Sequence, residues 1–331
     1  MEGELWTRLY QMLADEAKLR IRQKRVRYSD RQILVVFFWA VLHDRPIGWA
    51  CRCENWSEEW RWMSLPSEAT MSRRMRTLSV TLLLWGLVCR LGSVDAKANA
   101  NANGNGNGNG NGNGKANANG MPCLCRHIDS KPLPVGGFSK DRDARKGYAV
   151  ADTWCRGYKI FGAWGRGHVV PDALRLGAMN CSDPAAGQKL IADLCANAAG
   201  IGIGGYLLAD TTHDSNELHE AAGSAGSAGS AGFQLVAPRR KPGAGLGHRA
   251  GGHSRWRLRS IEMLEGPSPF GRSLYAGRGQ IERNYGNLCG FGGGLQPLPA
   301  WVRRPRRVAR WVVAKIVINA VRICINKGLA A

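Results

Sequence analysis

The chain has 331 residues, 44% of them apolar, and 46 Lys and Arg against 25 Asp and Glu give a formal net charge of +21. Such a chain can bury a sizeable core, and its charge excess points to a polyanionic partner, nucleic acid first among them. Ten cysteines with no C-x-x-C pair argue against a zinc site and against a disulfide framework, so reduced thiols in a cytoplasmic setting are expected.

Residues 5 to 92 have the periodicity of helices. Ser29-Asp30-Arg31-Gln32 is a capping-box pattern ahead of the apolar run Ile33–Leu42, which should stop near Asp44-Arg45-Pro46. A second start lies at Pro66-Ser67-Glu68, with Met71, Met75 and Leu78 on one face and Arg73, Arg74 and Arg76 on the others. This pair fits either a helix-turn-helix that reads DNA or an ordinary bundle with a solvated Arg face. The tryptophans Trp39, Trp49, Trp56, Trp60 and Trp62 fit bundle core and rim. The acidic start Met1–Glu4 is unlike a secretion signal, and the runs Ile33–Leu42 and Leu82–Cys89 fall far short of the ~20 residues of a membrane span.

Residues 96–120 alternate Ala-Asn and then Gly-Asn, a composition with little apolar surface to offset ordering, so a linker is predicted there. Beyond it the pattern shifts to short strands at Cys123–Asp129, Gly147–Ala151, Gly157–Trp164 and His168–Met179. A helix over Pro184–Ala199 leads to Gly205–Ala209, a run apolar enough for a strand buried on both faces. Ser215 should cap a helix to Ala222, and a Gly-Ser-Ala tract fills 223–232. Strands are predicted at Phe233–Val236 and Trp256–Leu264, and helices from Arg278 to Cys289 and from Trp301 to Lys327. The order implies three segments: a helical N-terminal domain (1–95), the linker (96–120) and an α/β domain (121–331).

Basic residues gather in three tracts. Six fall between Lys18 and Arg27, and seven lie from Arg239 to Ser260 with no acid. Nine lie from Arg283 to Ala331, again with no acid. Separate tracts suit a long duplex better than a single small phosphate ligand.

Three acids sit where chemistry could gather. Asp129 and Asp210 each end a predicted strand, and Glu282 lies inside a helix; sites in open α/β sheets form at the carboxyl ends of strands. Carboxylate oxygens suit Mg2+ or Mn2+, and two such ions serve in-line phosphoryl displacement without a protein nucleophile. Other strand-end acids, including Asp141, Asp152 and Asp214, fit caps and turns equally well. His213, His219, His248 and His253 lack zinc-ligand spacing and are expected at the surface or facing DNA. Gly200–Gly205 lacks the Lys-Ser/Thr of a phosphate-binding loop and fits a turn.

The surrounding motifs resemble those of DDE transposases of bacterial insertion sequences, in the group with a Tyr-Arg-Glu-Lys signature, Y-x2-R-x3-E-x6-K. Tyr275, Arg278 and Glu282 fall at its intervals, and Asp129-Ser130-Lys131-Pro132, Asp210-Thr211-Thr212-His213 and Trp301-Val302-Arg303 are similar to the family's other motifs. The resemblance implies an RNase H-like mixed sheet flanked by helices, preceded by the helical region. It implies Asp129, Asp210 and Glu282 as ligands of two Mg2+ or Mn2+ ions. Tyr275, Arg278, Arg283, Arg73, Arg74 and Arg76 would contact DNA. A homodimer on double-stranded inverted-repeat ends and target DNA, in the nucleoid and without a membrane, follows from the same resemblance. The final Lys of the signature is replaced by Cys289. Two functional readings stand: an active transposase, and a catalytically inactive DNA-binding derivative of one.

Overall fold

The computed structural model describes residues 2–20, 26–104, 125–150, 153–197, 204–225, 232–246, 252–291, 294–295 and 297–328. They form two compact units: residues 1–98, 136–141 and 287–331 make the first, and residues 99–135 and 142–286 the second.

The first unit is helical. α1 (Glu2–Lys18) buries Leu5, Trp6, Leu9, Met12 and Leu13 along one stripe. α2 (Asp30–Leu42) opens on the predicted capping box, with Ser29 and Gln32 each satisfying the other's backbone N–H, and every residue from Ile33 to Leu42 is buried. It ends where Asp44 takes a positive φ of 51°. α3 (Ile47–Ala50) and two 3-10 turns, Cys53–Asn55 and Glu58–Trp60, lead to α4 (Glu68–Arg74), capped by Ser67. Residues 43–67 therefore separate the two helices that the sequence pairs, so α2 and α4 are not joined by the tight turn of a helix-turn-helix. Trp6 meets Trp39 edge-on at 4.8 Å between ring centroids and Trp39 stacks on Trp56 at 4.7 Å, while Trp62 is exposed.

α5 (Leu78–Gly104) continues past the expected boundary at residue 95 into the Ala-Asn tract. Extending an existing helix needs no new nucleus, and alternate alanines favour it. The predicted linker from residue 105 to 120 lies outside the described residues, as do 21–25 of the first basic tract and 226–231 of the Gly-Ser-Ala tract. No single helix among the described residues is long and apolar enough to cross a membrane, although α4 with the start of α5 passes that test as a bent pair.

The first unit is completed by α11 (Pro305–Asn326), the last helix of the chain. It buries residues on every side, from Val308 and Trp311 through Val321 to Cys324, and packs against α1 and α2. A helix apolar all round needs neighbours on all sides. The linear division is thereby corrected: residues 287–331, expected with the α/β domain, belong to the helical unit.

The second unit holds a six-stranded mixed sheet: β1 (Cys125–Pro134), β2 (Arg145–Val150), β3 (Thr153–Gly165), β4 (Ala173–Ala178), β5 (Gly205–Leu208) and β6 (Phe233–Val236). The order is β2-β3-β1-β5-β6, and β4 also pairs with β3. β1, β2, β3 and β4 pair antiparallel, whereas β1, β5 and β6 run parallel. α6 (Asp183–Asn197) and α7 (Asn216–Gly223) cover one face around Ile128, Leu190, Leu207, Leu218 and Phe233. The other face carries Cys125, Leu208 and Val236 against Met263, Leu264, Leu274 and Tyr275. Those last four come from α8 (Arg255–Glu265) and α9 (Phe270–Tyr275), and α10 (Gly279–Cys289) follows. This is the helix-flanked mixed sheet that the motifs imply.

One strand prediction fails. Trp256–Leu264 is α8, not a strand: Ser254 caps it, and buried Ser260 is bound through its hydroxyl to both the N–H and the carbonyl of Ala237 at the end of β6. Arg at 255, 257 and 259 gives the segment a period-two look, and tertiary packing overrides it.

Candidate active site

Alternation along the strands decides which way the acids point. Ile128 and Leu207 enter the core under α6 and α7, so their odd-numbered and even-numbered neighbours Asp129 and Asp210 turn to the opposite face. β1 and β5 are in parallel register from Cys125↔Tyr206 to His127↔Leu208. Two positions beyond that last rung on each strand stand Asp129 and Asp210.

Asp129 is 17% exposed in its side chain. Its Oδ1 accepts the Ser130 N–H at 2.8 Å, and its backbone carbonyl accepts the Tyr285 hydroxyl at 3.2 Å. The Tyr285 ring meets Trp164 edge-on at 5.0 Å, which fixes α10 against β3. Burial pushes the Asp129 carboxyl above the usual range, and the charge of Asp210 pushes the same way, against Ser130, Arg278 and His213.

Asp210 behaves differently. Burial would raise its carboxyl, but His213 and Thr212 hold it well below the usual range, with Arg278 helping. His213 Nδ1 lies 2.6 Å from Oδ1, and the same oxygen accepts the Thr212 N–H at 3.1 Å and the Thr212 hydroxyl. All these donors converge on one oxygen. Among the described residues Oδ2 makes no hydrogen bond, which leaves it for an external ligand.

Arg278 stands between the acids. Its Nη2 is 3.3 Å from Asp129 Oδ2 and its Nη1 2.9 Å from Glu282 Oε1. Glu282, one helical turn beyond Arg278, is 64% exposed. Tyr275 is half-buried; burial lifts its phenol, and the charges of Asp210, Asp129 and Glu282 all add to that against Arg278. The signature residues thus share one electrostatic neighbourhood. No three His, Cys, Asp or Glu side chains among the described residues group closely enough to hold a metal ion as they stand. The expected three-acid ligand set is not assembled: Glu282 is engaged by the guanidinium, which neutralises acids that would otherwise repel one another.

The donors present still fit a hard divalent cation in part. Asp129 is a mostly buried carboxylate whose counter-charge is Arg278, and Asp210 keeps one oxygen unbonded among the described residues. Mg2+ is commonly bound through one or two carboxylates, with water and substrate phosphate supplying the rest.

Other candidates separate clearly. Arg283 is exposed and bonds Gln280, and Arg73 and Arg76 are exposed. Arg74 is turned inward, donating to the Tyr28 carbonyl at 2.8 Å and pairing with Asp30, so it braces α4 against α2. Cys289 ends α10 half-buried. Lys315 is fully buried and pairs with Asp44 at 2.7 Å, so it does not supply a cation in place of Cys289. Asp141 is buried and accepts the Arg304 N–H at 3.0 Å, a structural role within the first unit.

The histidines correct the sequence reading most. His213 and His219, expected at the surface, are 2% and 0% exposed. His219 lies 3.7 Å from Asp214, which also takes both Nε and Nη2 of Arg257 at 2.6 and 2.8 Å. Four residues from Ser215 on a short helix, His219 could have been placed inside from its spacing to Leu218 and Ala222. His127, two residues before Asp129 on the same face of β1, was not singled out. Burial chiefly, with the charges of Arg166, Arg283 and Arg278, brings its pKa down to about 4 against a Trp164 backbone hydrogen bond, so it is a neutral imidazole beside the acids.

A protein-family model described as a transposase DDE domain matches residues 124–304. Neither the curated proteins nor the solved structures give a match to the chain.

Proposed function

The chain belongs to the family of DDE-domain transposases, the match spanning residues 124–304, and on that premise we propose that it cleaves and rejoins DNA at the inverted-repeat ends of an insertion sequence. The observation that supports the reading is that Asp129, within β1, and Asp210, just past the end of β5, each stand two positions beyond the last β1–β5 rung, on the face that also bears Tyr275, Arg278 and Glu282.

Asp129 and Asp210 would hold Mg2+ or Mn2+, with Glu282 joining once Arg278 releases it. Two such ions supply activation of the attacking oxygen and stabilisation of the leaving one. The chain's own residues do the rest. His213 and Thr212 fix the rotamer of Asp210 through Oδ1, which aims Oδ2 outward. Tyr285 holds Asp129 by its backbone carbonyl and the Ser130 N–H holds its side-chain Oδ1. Arg278 exchanges carboxylates for DNA phosphate, a partner its planar fork matches equally well. Water is the first attacker and a DNA 3′-hydroxyl the second. Double-stranded ends and target are the partners, and a homodimer brings two ends together.

The test is cleavage by the purified full chain of duplex DNA carrying the sequences that flank its own reading frame, with Mg2+ or Mn2+. Metal-dependent nicking, lost in Asp129→Asn and Asp210→Asn, supports the reading; wild-type nicking by either variant overturns the site. Cys289 in place of the signature Lys favours a second reading, an inactive DNA-binding derivative. End binding without nicking in either metal, with nicking recovered in Cys289→Lys, would select it.

A further inference from the structure

We propose that Arg76, Arg306, Arg307 and Arg310 form one face that docks the sugar–phosphate backbone of duplex DNA, with the C-terminal helix supplying three of its four cations. The inference rests on the reading that DNA is the partner and adds where the helical unit grips it. All four residues belong to the first unit. They lie outside residues 124–304, so the family match says nothing about them.

Arg306 and Arg307 are exposed in the first turn of α11, and Arg310 follows one turn later on the same side. Val308 and Trp311 between and beyond them are buried and anchor the helix, which leaves Arg306 and Arg307 facing outward and Arg310 half-buried beside them. Arg76, at the turn between α4 and α5, comes close enough for its charge to act on Arg310. Burial and then the charges of Arg307, Arg306 and Arg76 all disfavour the Arg310 guanidinium, and no acid opposes them.

Several other cations of the same unit are paired. Arg20 meets Glu16, Arg74 meets Asp30, Arg90 meets Asp15 and Lys315 meets Asp44. Among the described residues none of the four arginines has an acidic partner, and no acid occurs from Arg283 to Ala331. The positive end of the α11 dipole adds to the repulsion instead of relieving it. An arrangement that costs the folded protein is relieved by a polyanion.

The face suits a duplex backbone in particular. Proteins that hold single strands stack bases on exposed aromatic rings, and Trp311 is 1% exposed. A membrane-surface helix needs an apolar face, and no large apolar side chain of α11 is exposed among the described residues.

The experiment is fluorescence anisotropy of the full chain, without metal, on a labelled duplex of about 30 base pairs. Salt runs from about 50 to about 200 mM. In Arg306→Ala/Arg307→Ala the slope of log affinity against log salt should shallow by about two, and by nearly four when Arg76→Ala and Arg310→Ala are added. Arg306→Lys/Arg307→Lys should keep the wild-type slope, because phosphate contacts count charge. The double Ala variant alters exposed positions only, and its melting temperature and circular dichroism should match wild type. An unchanged slope in that variant overturns the proposal. So does tighter binding of a single strand of the same length, or of anionic phospholipid vesicles, with the slope change confined to those. Metal-free binding is independent of nicking, so failure of Asp129→Asn to abolish cleavage would remove the active site and leave this face standing.

Discussion

Replacing Arg278 by Gln isolates the charge problem at the centre of the second unit. Asp129 and Arg278 are 17% and 18% exposed and 3.3 Å apart. Opposite charges at about 4 Å attract by about 4 kcal/mol at an effective dielectric of about 20, and regained solvation of the lost cation returns part of that, leaving about 2 kcal/mol. The Glu282 contact adds little because that carboxylate is mostly in water. Arg278→Gln should therefore lower stability by about 2 kcal/mol near neutral pH in urea unfolding without metal. The loss should depend on pH in a defined direction. Burial and Asp210 already hold the Asp129 carboxyl above its ordinary value, and removal of Arg278 moves it further up. A carboxyl raised in the folded state is a cost at neutral pH that protonation relieves, so the gap between variant and wild type should close as pH falls toward about 4. In an Asp129→Asn background the same substitution should cost under about 0.5 kcal/mol. Added Mn2+ should stabilise Arg278→Gln more than wild type, since the metal then competes with no guanidinium. A loss that is flat with pH, or undiminished beside Asp129→Asn, would refute the reasoning.

Three further outcomes follow from the same geometry. His213→Ala should cost about 2 kcal/mol at pH near 7, with most of that loss persisting at pH near 3. Asp210 is depressed well below the ordinary carboxylate range by His213, so its contribution is full above that range and fades only as pH falls on toward the depressed value; a loss that had vanished in melts at pH near 3 would contradict this. Gly162 pairs with Asp129 in the sheet, and a Cβ there would fall 2.1 Å from the Trp164 ring, so Gly162→Ala should cost about 2 kcal/mol and reduce nicking through the Trp164–Tyr285 contact. A wild-type melting temperature would show that the site tolerates the shift. In the first unit, Asp44→Asn should cost about 3 kcal/mol by leaving the Lys315 ammonium buried without a counter-charge. Lys315→Met should cost under half of that, because Asp44 can reach water; urea unfolding of the two variants decides it.

Asp210 was legible in the sequence because Leu207-Leu208-Ala209 is a short apolar run that stops at a carboxylate; Asp129, expected at the end of its strand, lies instead within β1, which runs on to Pro134, and alternation still gives the two a common face. Glu282 and Arg278 were legible as one helix face. That Arg278 would occupy both Asp129 and Glu282 was not, because side-chain choice among three acids is settled by distances in the fold. His213 follows Asp210 by three positions, a spacing with no helical or strand meaning in a turn, so its burial could not be inferred. Arg74 shares its pattern with Arg73 and differs only in having Asp30 opposite, a contact made across the chain. The place of α11 was hidden for the same reason: its mostly apolar stretch from Trp311 to Val321 announces that it is buried and not against what.

That last placement ties the beginning of the chain to its end. During synthesis α1 and α2 are made well before α11, the helix that packs on both, so their apolar faces stay uncovered until residues 305–326 have followed. A stop codon just after Arg304 would spare Asp129, Asp210 and Glu282 and still leave the helical unit without the 22-residue element that packs on α1 and α2. Loss of the tail is then felt first at the N-terminus, as proteolysis or aggregation of a part of the molecule three hundred positions away.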